Sequence, residues 1–297
     1  MRLGIDLGGT KIEIVAIERD GRELMRHRVT TPHTSYDATI RAIAELVRET
    51  ETKLGQTGTL GVAIPGAISQ KTGLVKNANS TMLIGHPLDK DLEEALLRPV
   101  RVANDANCFT LSEATDGAGK GHDVVFGVIL GTGVGGGICV GGRVLHGPHR
   151  ITGEWGHNPL PAPRASEKSG FDCYCGSKEG CIEGWISGPA VSAQYKRRTG
   201  RDLSATDIAT ANDADARAVT EDFLDRLARS LASIVNVLDP DAVVIGGGLS
   251  KIGAIYSEVP ARIEAYAFHP EGPTRILKNV HGDSSGVRGA AWLWPAS

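Results

Sequence analysis

Short apolar runs alternate along this chain with segments whose apolar residues recur at helical spacing. Residues 3–5, 12–17, 60–64 and 100–103 form apolar runs that predict strands. A stripe with the spacing of an amphipathic helix lies between the second and third runs and consists of Ile40, Ile43, Ala44 and Val47. Strands and helices in this order predict a mixed α/β fold.

A second block with the same alternation starts near Val124. A long helix is predicted by apolar residues that share one face and that Pro240 terminates, namely Val219, Phe223, Leu227, Ile234 and Leu238. Residues 242–245 predict a buried strand that enters three glycines, and residues 284–294 predict a last short helix. The least regular stretch, residues 159–184, carries most of the cysteines.

Two glycine-rich turns share one design. Residues 4–17 and residues 126–140 each contain an apolar run, a tight Gly/Thr turn and a second apolar run, which is the pattern of a β-hairpin. Glycine lets the backbone approach a ligand closely and leaves N–H groups that donate to phosphate oxygens. Two such turns, with Asp6 inside the first, predict a phosphate-binding cleft between two related halves.

Other nucleotide motifs fit this chain poorly. The first turn, Gly9-Thr10-Lys11, lacks the spacing of a P-loop. Gly131, Gly133 and Gly136 satisfy the G-x-G-x-x-G pattern, with Glu154 near the position of a ribose-binding acid. However, the residues that follow predict a strand, whereas a dinucleotide site requires a helix there. The sequence therefore indicates no dinucleotide site.

Composition limits the possible partners. The chain has 297 residues, 41% of them hydrophobic, which is enough for two moderate cores. Thirty-two basic residues against 35 acidic ones give a net charge of −3, so we expect no nucleic acid and no membrane partner. The longest apolar runs are too short for a membrane span, and Asp6 interrupts any signal-peptide core. We therefore expect a soluble, cytoplasmic protein.

Three cysteines form a C-x-C-x5-C pattern in the irregular stretch. Cys173, Cys175 and Cys181, with His157 sixteen residues upstream of the first, make a tetrahedral set suited to a structural Zn²⁺ ion. A disulfide or free thiols are the alternatives, which the lack of an export signal disfavours. Cys108 and Cys139 lie in apolar surroundings and are predicted to be core residues.

A strand is predicted to end and a helix to begin at Asn104-Asp105. A carboxylate at this junction lies where α/β proteins place ligand chemistry, and it is able to accept a proton from a hydroxyl group. The alternative, which the residues alone favour, is that Asn104 or Asp105 only caps the helix.

Taken together, these segments resemble the ROK family of sugar kinases. The resemblance covers nearly the whole chain and rests on the opening G-I-D-L-G-G-T-K, the Ile64-Pro65-Gly66 turn, Asn104-Asp105-Ala106-Asn107, Gly131-Thr132-Gly133, Glu154-Trp155-Gly156-His157, the cysteine segment ending in Glu183, and Val244-Ile245-Gly246-Gly247-Gly248. Within the family, residues 76–81, 89–92 and 281–294 are similar to bacterial fructokinases of the manno(fructo)kinase type.

The resemblance implies a two-domain actin-like ATPase fold of ribonuclease-H-like domains with a cleft between them. The implied smaller domain comprises residues 1–117 and 284–297, with the last helix returning to it, and the implied larger domain comprises residues 118–283 with the zinc loop. The implied reaction is ATP-dependent phosphorylation of a hexose at its 6-hydroxyl, with D-fructose as first candidate and mannose as another. A homodimer is also implied.

The family's residue roles carry over to matching positions. Asp105 is the implied general base, and the implied sugar-binding residues are Asn79, Asn104, Asp105, Glu154, His157 and Glu183, with His157 also serving the zinc. Asp6 is expected to orient Mg²⁺ through water. The implied ATP-binding residues are Gly4, Asp6, Gly8, Gly9, Thr10, Lys11, Gly131, Thr132, Gly133, Gly135, Gly136, Gly246, Gly247 and Gly248.

Two positions depart from the family pattern. Cys175 and Cys181 are separated by one residue more than is usual, and Met82 stands where the related fructokinases carry tryptophan. A glucokinase or an N-acetylhexosamine kinase of the same family is the main alternative, because it shares the same catalytic residues. A non-catalytic sugar sensor is a lesser alternative. A repressor of the family needs a helix-turn-helix module, which does not fit ahead of a strand that begins by Leu3.

Overall fold

The computed structural model describes residues 1–32, 35–78, 80–167, 173, 175–176, 180–268 and 271–294. Its strands are β1 Arg2–Leu7, β2 Lys11–Ile17, β3 Glu23–Thr30, β4 Thr59–Ile64, β5 Ala67–Ile68, β6 Val75–Lys76, β7 Val100–Asn104, β8 Val124–Leu130, β9 Val134–Val140, β10 Arg143–Val144, β11 Ala242–Gly246 and β12 Ile276–Lys278. Its α-helices are α1 Tyr36–Leu54, α2 Leu88–Leu96, α3 Asp105–Thr115, α4 Glu183–Ile186, α5 Gly188–Thr199, α6 Ala205–Thr210, α7 Ala214–Leu238, α8 Ala254–Glu264 and α9 Ser285–Trp292. Short 3₁₀ helices cover Thr81–Leu83, Trp155–His157, Ala165–Glu167, Gly248–Lys251 and Gly282–Ser284.

The chain divides into two compact units. Unit 1 comprises residues 1–120, 142–152 and 283–297, and unit 2 comprises residues 121–141 and 153–282. In unit 1, five strands form a sheet in the order β3-β2-β1-β4-β7. The first three strands are antiparallel neighbours, whereas β4 and β7 run parallel to β1. The carboxyl ends of β1, β4 and β7 therefore meet at one edge of the sheet.

Helix α9 packs closely on the sheet of unit 1 because glycines face it. A Cβ atom on Gly4 would lie 2.0 Å from the carbonyl oxygen of Val287, and one on Gly61 would lie 1.9 Å from that of Ala290. On the helix itself, a Cβ on Gly289 would lie 1.6 Å from the carbonyl oxygen of Cys108 in α3. Larger residues at these positions would push the backbones apart. The sheet, α3 and the last helix are therefore closely packed against one another.

Unit 2 repeats the same strand plan. Its strands run in the order β9-β8-β11-β12, with β8 and β9 antiparallel and β11 and β12 parallel to β8. Its apolar core includes Phe126, Trp155 and Tyr195. A hairpin followed by parallel strands in both units is the repeat that the two glycine-rich turns predicted.

Helix α7 is the longest element, with 25 residues, and carries a buried ion cluster. The Glu167 carboxylate, 3% exposed, accepts hydrogen bonds from Arg226 Nε at 2.8 Å and from Arg229 Nη2 at 2.9 Å. Arg229 also donates to the carbonyl oxygens of Pro161 and Ala162, both at 2.8 Å. The cluster fixes residues 161–167 to α7.

Within the described ranges, no helix is both long and apolar enough to cross a membrane.

Candidate active site

Asp6 lies near the carboxyl end of β1, directly before the first glycine-rich turn. The turn closes with a hydrogen bond from Gly8 N to the carbonyl oxygen of Lys11 at 3.0 Å. Thr31 holds it from the side, donating from Oγ1 to the carbonyl oxygen of Gly8 at 2.8 Å and from N to that of Thr10 at 3.0 Å. Three hydrogen bonds therefore hold the turn in the observed conformation.

A row of charged side chains crosses the sheet at Asp6. Glu13 on β2 is the cross-strand partner of Asp6, and Arg28 on β3 is the partner of Glu13. Glu13 is 1% exposed and pairs with Arg28 at 2.5 Å and with Arg26 at 2.7 Å. Burial and the negative charge of Asp105 raise the pKa of Asp6 to about 6. Two arginines thus balance the negative charge of Glu13. The charged form of Asp6 is disfavoured by burial, and a bound cation would stabilise it.

Asn104 caps helix α3 and leaves Asp105 on the first turn. Asn104 Oδ1 accepts from the backbone N–H of Ala106 at 2.9 Å and from that of Asn107 at 3.3 Å. Its Nδ2 donates to the carbonyl oxygen of Gly66 at 3.2 Å, which ties the Pro65-Gly66 turn to the helix. The capping alternative therefore holds for Asn104. Asp105 Oδ1 accepts from Ala106 N at 2.8 Å.

Glu183 buttresses the second glycine-rich turn. It begins α4, and its Oε2 accepts a hydrogen bond from the backbone N–H of Val134 at 2.8 Å. A Cβ on Gly133 would lie 2.6 Å from the same Oε2, so a side chain there would displace the carboxylate. Gly188 N also donates to the carbonyl oxygen of Gly131 at 2.8 Å. The turn between β8 and β9 is therefore held from α4 and from the start of α5.

The segment 153–157 packs against β9 through close backbone contacts. Trp155 is buried, and its Nε1 donates to the carbonyl oxygen of Gly135 at 2.9 Å. A Cβ on Gly136 would lie 2.9 Å from the Trp155 ring, and one on Gly156 would lie 2.1 Å from the carbonyl oxygen of Val134. Glycines in β9 and in the segment thus set the positions of Glu154 and His157, which flank Trp155 and Gly156.

The structure gathers the four proposed metal ligands in unit 2. One ligand atom each from His157, Cys173, Cys175 and Cys181 lie within 4.8 Å of one another. Cys175 Sγ is 3.2 Å from Cys181 Sγ, and Cys173 Sγ is 3.5 Å from His157 Nδ1. In a tetrahedral zinc site, bonds of about 2.0–2.3 Å separate neighbouring ligand atoms by about 3.5–3.8 Å. The Cys173–His157 distance matches this spacing, and the Cys175–Cys181 distance is a few tenths of an ångström shorter. Three thiols and one imidazole are a donor set that suits Zn²⁺. The extra residue between the last two cysteines leaves both of them in the cluster.

Glu154 and Glu183 adjoin this cluster. Glu154 Oε2 lies 3.9 Å from His157 Nε2, and Glu183 Oε1 lies 3.5 Å from Cys173 Sγ. Glu154 and Glu183, to which the family resemblance assigned sugar binding, therefore lie next to the proposed metal ligands, of which His157 is one. Cys108 and Cys139, predicted to be core residues, are 0% and 1% exposed.

Gly246, Gly247 and Gly248 lie where β11 ends, beside the second turn. Gly246 pairs with Ile129 of β8, and Gly247 adopts a φ of 82°, a conformation that favours glycine. A Cβ on Gly247 would also lie 2.4 Å from the carbonyl oxygen of Leu130. The three glycines and the turn at Gly131 thus share one edge of the unit 2 sheet.

Two predicted residues need separate mention. Asn79 lies outside the described residues. Gly4 lies within β1, where its packing against α9 already requires glycine. Met82 lines a cavity of about 260 Å³ that Gly8 and Gly9 of the first turn also line.

Several residues that shape the site were not predicted from the sequence. Thr31 fixes the first turn from 23 residues away, and Glu13 meets arginines 13 and 15 residues further along the chain. The link from Glu183 to Val134 spans 49 residues. Such pairs join elements that meet only after folding. For Glu13, the single clue was a charged residue inside an otherwise apolar strand.

Two ribonuclease-H-like units, each with a glycine-rich hairpin turn at its sheet edge, define an actin-like ATPase fold. The chain belongs to the ROK family, whose model matches residues 2–297. It is a ROK family sugar kinase.

Similar proteins have related activities in their names. An N-acetyl-D-glucosamine kinase of Yersinia pseudotuberculosis serotype O:1b (strain IP 31758) is 42% identical over 301 residues, covering 99% of this chain and 98% of that protein. The corresponding kinase of Salmonella gallinarum (strain 287/91 / NCTC 13346) is also 42% identical, covering 99% of both.

Solved structures agree with this family assignment. A ROK hexokinase from Thermus thermophilus has a TM-score of 0.87 at 30% identity, covering 98% of this chain and 97% of that one. A ROK family glucokinase from Streptomyces griseus, in complex with glucose and AMPPNP, has a TM-score of 0.77 at 28% identity, with the same coverage.

Proposed function

We propose that this protein transfers the γ-phosphoryl group of ATP to the 6-hydroxyl of N-acetyl-D-glucosamine. The observation that carries the choice of sugar is the 42% identity, over 99% of the chain, to N-acetyl-D-glucosamine kinases. The motif similarity to fructokinases made D-fructose the first candidate from sequence. The comparisons favour the N-acetylhexosamine alternative instead, and fructose becomes a secondary candidate with mannose. The glucose complex of the Streptomyces griseus relative keeps glucose as a further candidate.

Asp105 is the proposed general base. As the hydroxyl attacks phosphorus, the Asp105 carboxylate takes its proton, which makes the oxygen a better nucleophile. Because Asn104 already caps α3, the carboxylate of Asp105 is not needed for the cap. The cap and the tie to Gly66 hold this carboxylate in place on a rigid helix. Asn79, Asn104, Glu154, His157 and Glu183 are proposed to surround the sugar.

The glycine-rich turns are proposed to hold the nucleotide. Backbone N–H groups of residues 8–11 and 131–136 would donate to phosphate oxygens, and Gly246–Gly248 would border the nucleoside. The carboxylate of Asp6 suits a hydrated Mg²⁺ ion, because burial and the neighbouring charge of Asp105 raise its pKa and a cation would stabilise its charged form. A bound Mg²⁺ neutralises phosphate charge, and the protein's own groups position the donor and acceptor oxygens.

The cysteine cluster is proposed to bind one structural Zn²⁺ ion. Its ligands come from an irregular segment, so the ion would fix His157 and the neighbouring Glu183. Further parts of this proposal are a homodimer, a cytoplasmic reaction and a domain division at residues 1–117 plus 284–297 and 118–283.

A panel of sugars tests the substrate. ADP release from Mg-ATP is measured with N-acetylglucosamine, N-acetylmannosamine, glucose, mannose and fructose, and the expected result is the highest kcat/KM with N-acetylglucosamine. Highest kcat/KM with fructose would restore the fructokinase assignment. No turnover with any sugar, in folded protein that contains zinc, would favour a sugar sensor. The Asp105→Asn variant, purified in parallel, controls for contaminating kinases.

A further inference from the structure

Two buried arginines on α7 contact both ends of the segment that carries the cysteines. Arg226 and Arg229 are three residues apart, so their side chains leave the same face of the helix. They are 6% and 2% exposed. A charged group at this depth needs partners that compensate its lost hydration. The partners of these arginines therefore define what α7 holds in place.

The first end of the segment is Glu167, six residues before Cys173. Its Oε1 accepts hydrogen bonds from Arg226 Nε at 2.8 Å and from Arg229 Nη2 at 2.9 Å, and its Oε2 accepts from the backbone N–H of Arg164 at 2.8 Å. Burial raises the pKa of Glu167, but the hydrogen bonds from Arg164, Arg229 and Arg226 lower it to about 2. An ionised carboxylate therefore ties this end to α7.

The chain between His157 and Glu167 is tied to the same helix. Arg229 Nη1 donates to the carbonyl oxygens of Pro161 and Ala162, both at 2.8 Å. Ala162 has a φ of 44°, a conformation that is costly for a residue other than glycine and persists only where neighbouring groups hold it. Arg229 thus holds the chain that leads away from the proposed ligand His157.

The second end of the segment is Cys181. Pro159 and Cys181 pair in an isolated antiparallel bridge, and Ile182 N donates to the carbonyl oxygen of Asn158 at 2.9 Å. Asn158 directly follows His157. Backbone hydrogen bonding thus places two of the four proposed ligands side by side, one from each strand of the pairing.

Arg226 also reaches the second end, through α4. Its guanidinium carbon lies 4.8 Å from the centroid of the Trp185 ring, a cation–π contact. Gln194 adds a second link, because its Nε2 donates to the carbonyl oxygen of Trp185 at 2.9 Å and its Oε1 accepts from Arg226 Nη1. Arg226 therefore contacts Glu167 before the cysteines and Trp185 after them.

We propose that Arg226 is a positioning residue for the metal ligands, because it joins the chain that enters the cysteine segment to the chain that leaves it. This inference rests on the proposed zinc site. The described residues between Glu167 and Cys181 belong to no helix or strand. Joining the two ends shortens the loop that must close when the thiolates gather around an ion, so less conformational entropy is lost on binding. The contacts of Arg226 therefore make zinc binding tighter.

Competition with a chromophoric zinc chelator tests the proposal on the full chain, without any measurement of activity. Arg226→Met fills similar space but no longer pairs with Glu167 or Gln194, while Arg229 still neutralises the Glu167 carboxylate. We expect the dissociation constant for zinc to rise about 10-fold or more, as is typical when groups that support metal ligands are removed.

Arg262→Met is the matched control. Arg262 pairs with Glu258 four residues earlier and with Glu221 of another helix, just as Arg226 pairs with Asp222 four residues earlier and with a carboxylate of another element. Arg262 lies outside the cysteine cluster. The control should keep the wild-type dissociation constant for zinc.

Melting temperatures with and without zinc separate positioning from general stability. Lost packing alone would lower the melting temperature of metal-free and zinc-loaded protein equally and would leave the dissociation constant unchanged. A ligand that binds the folded protein more weakly stabilises it less at the same concentration. The rise in melting temperature on adding zinc should therefore be smaller in Arg226→Met than in the wild type.

Gln194→Met gives a second test if Arg226→Met fails to fold. Gln194 is half-buried, and the variant removes the acceptor for Arg226 Nη1 and the donor to the Trp185 carbonyl oxygen. It should weaken zinc binding in the same direction by a smaller factor. Wild-type zinc affinity in every variant that folds would overturn the positioning role and leave the zinc site intact. Wild-type protein that binds no zinc would defeat the proposed zinc site and this inference with it.

Discussion

Asp6 and Asp105 are electrostatically coupled in unit 1. Asp6 lies near the end of β1 and Asp105 begins α3, and burial together with the charge of Asp105 raises the pKa of Asp6 to about 6. Two carboxylates from separate elements thus affect one another at a single edge of the sheet. This arrangement suits the proposed cation site and the proposed base, and the raised pKa of Asp6 has measurable consequences.

The pH dependence of catalysis should report this coupling. Asp6 becomes protonated as the pH falls through about 6, and a neutral carboxyl group no longer attracts the magnesium–nucleotide complex. We expect kcat/KM for Mg-ATP to fall about tenfold per pH unit below this pKa. The measurement is a pH profile at saturating sugar between pH 5 and 8, with circular dichroism showing that the protein stays folded. A profile flat down to pH 5 would contradict the role of Asp6.

Removal of the Asp6 charge should stabilise the protein. Because the folded-state pKa, about 6, lies above the ordinary value of 3.8, the folded protein binds more protons in this window, and stability is lost as the pH rises through it. Asp6→Asn mimics the protonated form, so it should raise the free energy of unfolding at pH 7.5 by about 1–3 kcal/mol. The gain should shrink towards pH 4.

Urea denaturation of both proteins at the two pH values measures this difference. Asp202→Asn is a suitable control, because Asp202 is 77% exposed and its ion pair with Lys196 lies on the surface. The control should change stability by no more than about 0.5 kcal/mol. Destabilisation by Asp6→Asn at pH 7.5 would show that the carboxylate is compensated and would remove the argument for a cation beside it.

Much of the succession of elements along the chain follows from local signals. The Gly/Thr turns predicted both hairpins, and Pro240 marked the end of α7, which runs to Leu238. The predicted last helix is nearly the observed one, Ser285–Trp292, because its apolar spacing is strong. The strand at residues 3–5 is longer at both ends, covering Arg2–Leu7, since pairing with β2 and β4 extends it. Long-range pairing has no local signal.

The buried charges were beyond the reach of sequence reasoning. Glu167 meets Arg226 and Arg229 about 60 residues away, and nothing in the local pattern indicates that these groups are paired. Asn104 shows a different difficulty, because both capping and sugar binding suit an asparagine at a strand–helix junction. The structure shows the cap, and the sugar role stays a proposal. Specificity depends on pocket shape, which motifs shared across the family do not encode.

Metal content tests the cysteine cluster. We expect about one Zn²⁺ ion per chain by elemental analysis of protein purified without chelator. Cys181→Ser, at a buried ligand position, should lose the ion and lower the melting temperature. Cys139→Ser is the matched control, since Cys139 is equally buried but lies outside the cluster. Wild-type protein that lacks zinc and remains fully active, with reactive Cys173 and Cys175, would end the zinc proposal.

Glu183 should influence nucleotide affinity as well as sugar affinity. Its carboxylate accepts the Val134 N–H in the second turn, so Glu183→Ala would leave this donor without its partner and loosen the turn. We expect the KM for ATP to rise about fivefold to tenfold, in line with the loss of about 1 kcal/mol. Glu183→Gln retains an acceptor oxygen and should recover most of the ATP affinity. An ATP KM unchanged in Glu183→Ala would confine this residue to the sugar side.

The most direct test of the account is the identity of the product formed by the wild-type protein and by Asp105→Asn. Protein, Mg-ATP and N-acetylglucosamine are incubated together, and phosphorus NMR follows the products. We predict that the wild type forms N-acetylglucosamine 6-phosphate and that Asp105→Asn, with an intact fold, turns over about 10²–10⁴ times more slowly. Product phosphorylated at another position, or near-normal turnover by Asp105→Asn, would contradict the proposed reaction and its base.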